Sequence, residues 1–254
     1  MSTIIETKNL KKVYGTKGVS FNALDGIDLK VEKGDFLGIM GPSGAGKTTL
    51  LNLISTIDKP TSGEIFLEGK ELNNLKDREL AKLRRNSIGF IFQDFNLLDN
   101  MTVEDNIALP LALERKHHKN ILNKVDEISS FFGIKDHIKK YPYQLSGGQK
   151  QRTAAARALI TSPSVIFADE PTGALDSKSS AELLQSMLKM NEEFHTTVMM
   201  VTHDAFAASY CKRILFLKDG KIYARLDKNE SRKEFFHRIL DLLSSFGGGS
   251  HEHF

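Results

Sequence analysis

The sequence predicts an α/β fold with a helical lobe set into it. Three observations carry that prediction. Short apolar runs with strand-like patterning alternate with helix-like stretches along most of the chain. One such run, Phe36 to Met40, stops at a glycine-rich turn from which a helix opens near Lys47. Residues Thr102 to Lys140 change to 3.6-residue apolar spacing, through Val103, Ile107 and Leu111, then Ile121, Val125, Ile128 and Phe132. This stretch is read as an inserted lobe, with helical character from about residue 100 to 160.

The remaining elements follow in order. Ile4, Ile5 and Leu10, then Leu24, Ile27, Leu29 and Val31, mark β structure at the start. Glycines bound a further strand from Gly63 to Gly69, and Ile88 to Phe92 is another. After the lobe come a helix from Gly148 to about Ile160, a strand from Val165 to Ala168 and a helix from about Ser179. Ser179 and Glu182 have the spacing of a capping box, in which each side chain satisfies the other's backbone N–H. A strand from Thr197 to Val201 precedes a short helix after Asp204. Asp219 and Gly220 supply a hairpin turn between Arg213–Leu217 and Lys221–Leu226. Phe235, Ile239, Leu242 and Leu243 predict an amphipathic C-terminal helix. One domain over 1–246 is expected, with 247–254 as a flexible tail lacking any core-forming pattern.

Composition narrows the function classes. With 35 Lys and Arg against 32 Asp and Glu, the formal charge is only +3, too little to hold nucleic acid by bulk charge. Hydrophobic residues at 40% can bury a core, which excludes a disordered chain. The single cysteine, Cys211, excludes an intrachain disulfide and any cysteine cage for zinc or iron–sulfur, and fits a reducing, cytosolic setting. No apolar run approaches the ~18–20 residues that cross a bilayer. The segment from Met1 to Lys12 lacks the apolar centre of a signal peptide. The chain is expected to be soluble and to reach a membrane only through a partner.

Gly41, Pro42, Ser43, Gly44, Ala45, Gly46, Lys47, Thr48 and Thr49 match G-x-x-x-x-G-K-[ST] between a strand and a helix. Glycines let backbone N–H groups turn toward an anion, and a helix N-terminus adds partial positive charge. Lys47 is placed to reach the β- and γ-phosphates of a nucleoside triphosphate, and the Thr48 hydroxyl to sit on Mg²⁺. By itself this motif does not separate a transporter from a GTPase, a kinase or a helicase. A second signal is the run Val165 to Glu170. A buried strand ending in Asp169 puts a carboxylate beside the phosphate loop, where it can hold Mg²⁺. Glu170, pointing the other way if the strand continues, suits a group that polarises an attacking water. A third signal is Leu145, Ser146, Gly147, Gly148 and Gln149 ahead of a helix, a second anion-ready N-terminus. Two cradles make sense when the second serves the nucleotide of a neighbouring copy.

With these residues in place, the chain resembles the ATP-binding subunits of ABC transporters over nearly its whole length. That resemblance implies a P-loop NTPase core with an N-terminal antiparallel β subdomain and an inserted α-helical subdomain. Gly41 to Thr49 resembles the Walker A loop, Val165 to Glu170 the Walker B strand with its catalytic glutamate, and Leu145 to Gln149 the family signature. Gln93 resembles the glutamine that touches Mg²⁺ or water and senses the membrane subunit. Ala174, Leu175 and Asp176 resemble the D-loop linking two active sites. His203 resembles the switch histidine on the γ-phosphate, and Tyr14 the aromatic that stacks on adenine. Base stacking is worth about 1–3 kcal/mol, so loss of Tyr14 is expected to weaken ATP binding more than turnover. His117, His118, His251 and His253 fall outside the motif order and read as structural or solvated, and Arg115, Lys116 and Lys119 as a solvated helix face.

The resemblance implies an ATP- and Mg²⁺-dependent ATPase working as a head-to-tail dimer. Each nucleotide lies between one chain's phosphate loop and the other's signature. Arg85 to Leu98 and Thr102 to Pro110 look like the branch that includes lipoprotein-release and macrolide-type ATPases. Ile166 to Ser179, Val201 to Asp204 with Ala207 to Cys211, and Phe246 to Gly249 with His251 and His253 look like the Bce-type antimicrobial-peptide resistance ATPases. Those work with a permease carrying a large extracytoplasmic domain and often with a sensor histidine kinase, on the cytoplasmic face of the membrane. The alternatives are a related mechanotransmission ATPase (lipoprotein release, macrolide efflux or cell division) and a soluble ABC-type clamp. The second would have been supported by tandem cores, a long coiled-coil insert or zinc cysteines, none of which the sequence has.

Overall fold

The computed structural model describes residues 2–16, 19–114 and 116–247. The tail read from residue 247 onward lies outside the described residues from 248, as do His251, His253 and Arg115.

Long strands β1 (Thr3–Thr16) and β2 (Val19–Glu32) pair antiparallel along their length. They are followed by β3 (Phe36–Met40) and helix α1 (Lys47–Ile54). Strands β4 (Ser62–Leu67) and β5 (Lys70–Glu71) join the first sheet, in the order β2-β1-β4-β5. Helix α2 (Asp77–Ser87), which the sequence reading did not anticipate, precedes β6 (Ile88–Phe92). Only Leu80 of α2 is buried, so the helix carries almost no apolar stripe to betray it.

Helices α3 (Val103–Leu113), α4 (His118–Phe131) and α5 (Gly147–Leu159) come next, with two short 3-10 turns, Lys135–His137 and Pro142–Gln144, between the last two. Strand β7 (Val165–Asp169), α6 (Ser177–Phe194), β8 (Thr197–Val201), α7 (Ala205–Ala208), the hairpin β9 (Arg213–Lys218) and β10 (Lys221–Asp227), and α8 (Arg232–Gly247) complete the chain.

The second sheet runs β10-β9-β3-β8-β7-β6, parallel except for β10 at its edge. Its inner strands are apolar without a polar alternate because both faces are covered. Phe36, Met40, Ile166, Ala168, Val198 and Met200 face a core shared with α3 to α8. Leu37, Ile39, Val165, Phe167, Met199 and Val201 face the core shared with α1 and the antiparallel sheet. The two-residue period of a strand thus divides each strand between two cores. The α/β architecture with its antiparallel β subdomain is the expected one.

One boundary differs from the sequence reading. Helix α6 starts at Ser177, not near Ser179. Its N-cap is Asp176, whose Oδ1 accepts the Ser179 N–H at 3.0 Å. The Ser179–Glu182 capping box does not form, because Glu182 pairs instead with Arg152 at 2.8 Å. Asp and Ser are comparable N-caps, and here the earlier residue takes the position.

Candidate functional site: a phosphate loop at the carboxyl ends of three strands

Strands β3, β8 and β7 are neighbours, and the chain at or just past the carboxyl end of each carries a residue with chemistry. This is the edge of an open parallel sheet at which ligands bind. From β3 the chain enters Gly41 to Gly46. Gly46 caps α1 with φ of 96°, and a Cβ there would lie 2.4 Å from the Ala23 carbonyl oxygen, so only glycine closes the turn. No side chain caps α1, which leaves its first N–H groups for an anion. The Lys47 ammonium donates to the Gly41 and Pro42 carbonyls at 2.8 and 3.0 Å. Burial pushes its pKa down, and the nearby Glu170 and Asp169 carboxylates oppose that shift.

From β7 come the two acids. Asp169 Oδ1 lies 3.5 Å from Thr48 Oγ1. Burial first, and then the Glu170 charge, raise the Asp169 carboxyl above its ordinary range. Glu170 departs from the expectation of a continuing strand. Its φ is 45°, and its N–H donates to the Val201 carbonyl at 2.9 Å. This left-handed residue turns its carboxylate toward β8, where Oε1 is 2.9 Å from His203 Nδ1. An ionised carboxylate only accepts, so Nδ1 is the donor and Nε2 is left for another partner. The His203 side chain is 73% exposed.

Tyr14 stands on β1 opposite Phe21 of β2. Its O–H donates to Asp58 at 2.7 Å, and the Lys12 ammonium sits 4.7 Å from its ring centre. Burial and Asp58 together raise the Tyr14 pKa. A cavity of about 260 Å³ is lined by Tyr14, Phe21, Ala23, Ser43 to Thr49 and Glu170. The sequence reading missed Phe21 and Asp58. A strand aromatic and a loop aspartate carry no motif, and only the cross-strand register brings them to Tyr14.

None of Leu145 to Gln149 lines that cavity. Ser146 caps α5: its Oγ accepts the Gln149 N–H at 3.3 Å, and Gln149 Oε1 accepts the Ser146 N–H at 2.9 Å. The Ser146 hydroxyl proton remains free to donate outward. A Cβ on Gly148 would lie 2.8 Å from Ser179 Oγ, so the start of α5 sits tight against that of α6. Leu175 packs on the core, and Asp176 is held by Ser179 on both oxygens, which lowers its pKa.

Gln93 is exposed, with its amide against Gly173, where a Cβ would lie 2.9 Å from it. Behind it lies a residue the sequence did not flag. Gln151 is fully buried, and its Nε2 donates to Phe92 O at 3.0 Å and to Pro171 O at 2.7 Å. It joins the residue before Gln93 to the residue after Glu170. Arg157 reaches the same loop through Phe95 and Asn96 carbonyls. Polar residues on a helix otherwise rich in alanine read as surface; only the structure turns them inward.

A strand-to-helix phosphate loop, paired acids on the adjacent strand edge and a histidine bonded to the second acid define an ATP-binding cassette. The ABC transporter family model matches residues 24–173, and the chain belongs to this family of ATP-binding, ATP-hydrolysing proteins. It is 51% identical over 251 residues to the bacitracin export ATP-binding protein BceA of Halalkalibacterium halodurans, covering 98% of this chain and 99% of that one. It is 50% identical to the ABC transporter ATP-binding protein YvcR of Bacillus subtilis, over 98% and 97% of the two chains. The solved ATP-binding cassette MJ0796 of Methanocaldococcus jannaschii, a dimer in a post-hydrolysis state with ADP and Pi, superposes with a TM-score of 0.82. It is 40% identical and covers 90% of this chain and 100% of that chain. Among the described residues no helix is long and apolar enough to cross a membrane.

Proposed function

We propose that this chain is the ATP-hydrolysing subunit that powers a membrane permease in antimicrobial-peptide resistance, acting as a head-to-tail pair of copies. The observation that carries the substrate class is its 51% identity, over nearly the full length of both chains, to a bacitracin export ATP-binding protein. The permease carries a large extracytoplasmic domain, and a sensor histidine kinase joins the assembly, at the cytoplasmic face of the membrane.

In this reading adenine stacks on Tyr14, and the phosphates take the N–H groups of Gly41 to Thr49. Lys47 leaves its loop carbonyls to meet the β- and γ-phosphates. Glu170 orients a water and takes its proton as the new P–O bond forms and the bond to ADP breaks. His203, bonded to Glu170, contacts the γ-phosphate. The site fits Mg²⁺. Asp169 is a half-buried acid beside a second acid, with a hydroxyl 3.5 Å away, and a cation relieves that repulsion. Among the described residues no cluster of three metal-ligating side chains occurs, as expected when substrate phosphates complete the coordination. Thr48, Asp169 and Gln93 would hold the ion, which supplies charge neutralisation on the phosphates.

Leu145 to Gln149 lie away from their own chain's nucleotide cavity, so the partner copy supplies them to the other nucleotide. Triphosphate then bridges the pair and diphosphate does not, which makes hydrolysis a release step. The permease docks at a groove of about 420 Å³ lined by Phe90, Phe92, Leu109, Leu113, Arg84 and Arg85. Such a lining, mostly apolar with arginines beside it, suits an apolar segment with acidic flanks.

The test is capture of the Glu170→Gln chain with ATP from detergent-solubilised native membranes, followed by mass spectrometry. A multi-span permease with a large external domain is the expected companion. A permease of different architecture moves the assignment to lipoprotein release, macrolide efflux or cell division, and soluble partners alone overturn the transporter reading.

A further inference from the structure

We propose that His137 is a positioning residue for Leu145 to Gln149, and that its neutral imidazole holds the Gln149 amide in the one orientation that shapes this turn. The inference rests on the reading that these residues act on a nucleotide held by a second copy.

The donors and acceptors leave a single arrangement. Ser146 N–H can only donate, and it lies 2.9 Å from Gln149 Oε1, which fixes which end of the amide is oxygen. The other end, Nε2, is then an NH₂ group, and it lies 2.9 Å from His137 Nε2. An amide NH₂ only donates, so His137 Nε2 must carry a lone pair. The ring proton therefore sits on Nδ1, which is buried and has no partner. A second proton on the ring would set N–H against N–H at Gln149. Turning the amide over would relieve that clash only by setting its NH₂ against the Ser146 N–H. The turn and a protonated His137 cannot coexist in this geometry.

His137 is itself firmly placed. Its N–H donates to Ile134 O and its carbonyl accepts from Lys140 N–H, both at 2.9 Å. The segment is fastened to α3 through Val103 N to Lys140 O and Glu104 N to Ile138 O, at 2.8 and 2.9 Å. The charged groups on the elements around it are engaged elsewhere. Lys135 pairs with Asp126 of α4, Lys139 with Glu104 of α3, and Lys150 of α5 lies over the Phe95 ring. Asp136 and Lys140 are exposed on its own segment. Among the described residues none of these bonds to the imidazole.

Two variants test the bond. His137→Phe keeps a ring and removes the acceptor. Gln149→Glu keeps the capping bond through one carboxylate oxygen and turns the other into an acceptor facing His137. Hydrogen exchange over residues 145–150 of the single chain reads the turn directly. Loss of one such bond is expected to speed exchange about fivefold in His137→Phe, with other segments unmoved. ATP-driven pairing, measured by light scattering in the Glu170→Gln background, is expected to weaken by about the same factor while nucleotide affinity of the single chain holds.

The second variant separates a positioning bond from mere packing. In Gln149→Glu the ring can donate from Nε2 to the carboxylate, so exchange over residues 145–150 is expected to stay slower than in His137→Phe. Unchanged exchange in His137→Phe, or exchange in Gln149→Glu as fast as in His137→Phe, overturns the proposal. A parent chain that never pairs with ATP strikes the head-to-tail reading instead, and the exchange measurement still decides the role of His137.

Discussion

The start of α1 and the start of α5 present backbone N–H groups to a phosphate in opposite ways. Helix α1 begins at a left-handed glycine with no side-chain cap, so its N–H groups wait for a ligand. Helix α5 begins at Ser146 with a complete capping box, so one N–H is already spent and a serine hydroxyl is offered in its place. Around α1 stand Lys47, Asp169, Glu170 and His203. Around α5 the first turn carries no acid, and its neighbours include Ser179, Leu175, Phe95 and His137. The first start brings donors and counter-groups together within one chain. The second has the donors without the counter-groups, which on the proposed reading makes it half a site.

Three experiments act on that contrast. The largest effect belongs to the chemistry at the first start. Glu170→Gln is expected to lower turnover by about 10²–10⁴-fold, the range for loss of a general base, while ATP still binds. Phosphate release near the wild-type rate removes Glu170 from the role given to it. Next, a methyl group is added at each start. Gly46→Ala drives a Cβ into the Ala23 carbonyl and Gly148→Ala drives one into Ser179. Overpacking of ~1–3 kcal/mol corresponds to a loss of roughly 5–150-fold. For Gly46→Ala the loss is expected in nucleotide affinity of the single chain, measured by calorimetry. For Gly148→Ala it is expected in turnover with that affinity intact. The same pattern in both variants dissolves the distinction.

The smallest effect is on stability. Burial, and then Glu170, raise the Asp169 carboxyl above its ordinary range, so the folded chain holds that proton more tightly than the unfolded one. Its contribution to stability is present below the ordinary carboxyl range and is lost as pH rises through the raised value. At neutral pH the charged form therefore destabilises the nucleotide-free chain. Asp169→Asn is expected to raise its melting temperature by about 1–3 °C. A rise that persists at pH 3, where the acid is already protonated, contradicts the cause.

Much of this was legible in the sequence. The strands from Phe36, Val165 and Thr197 are unbroken apolar runs, and a strand buried on both faces can be written no other way. Helix α2 was missed because it has hardly any buried face. The turn at Glu170 was missed because backbone handedness leaves no mark on a glutamate. Gln151 was missed because a buried polar side chain looks like a surface one until the carbonyls it serves are placed.

Gln151 also ties two distant stretches of chain together. Its single amide nitrogen donates to two carbonyls, one at the end of β6 and one just past Glu170. Phe92 lines the apolar groove and Pro171 follows Glu170. The wall of the groove and the loop of the second acid thus share one fastener, and a change at this one side chain is felt at both.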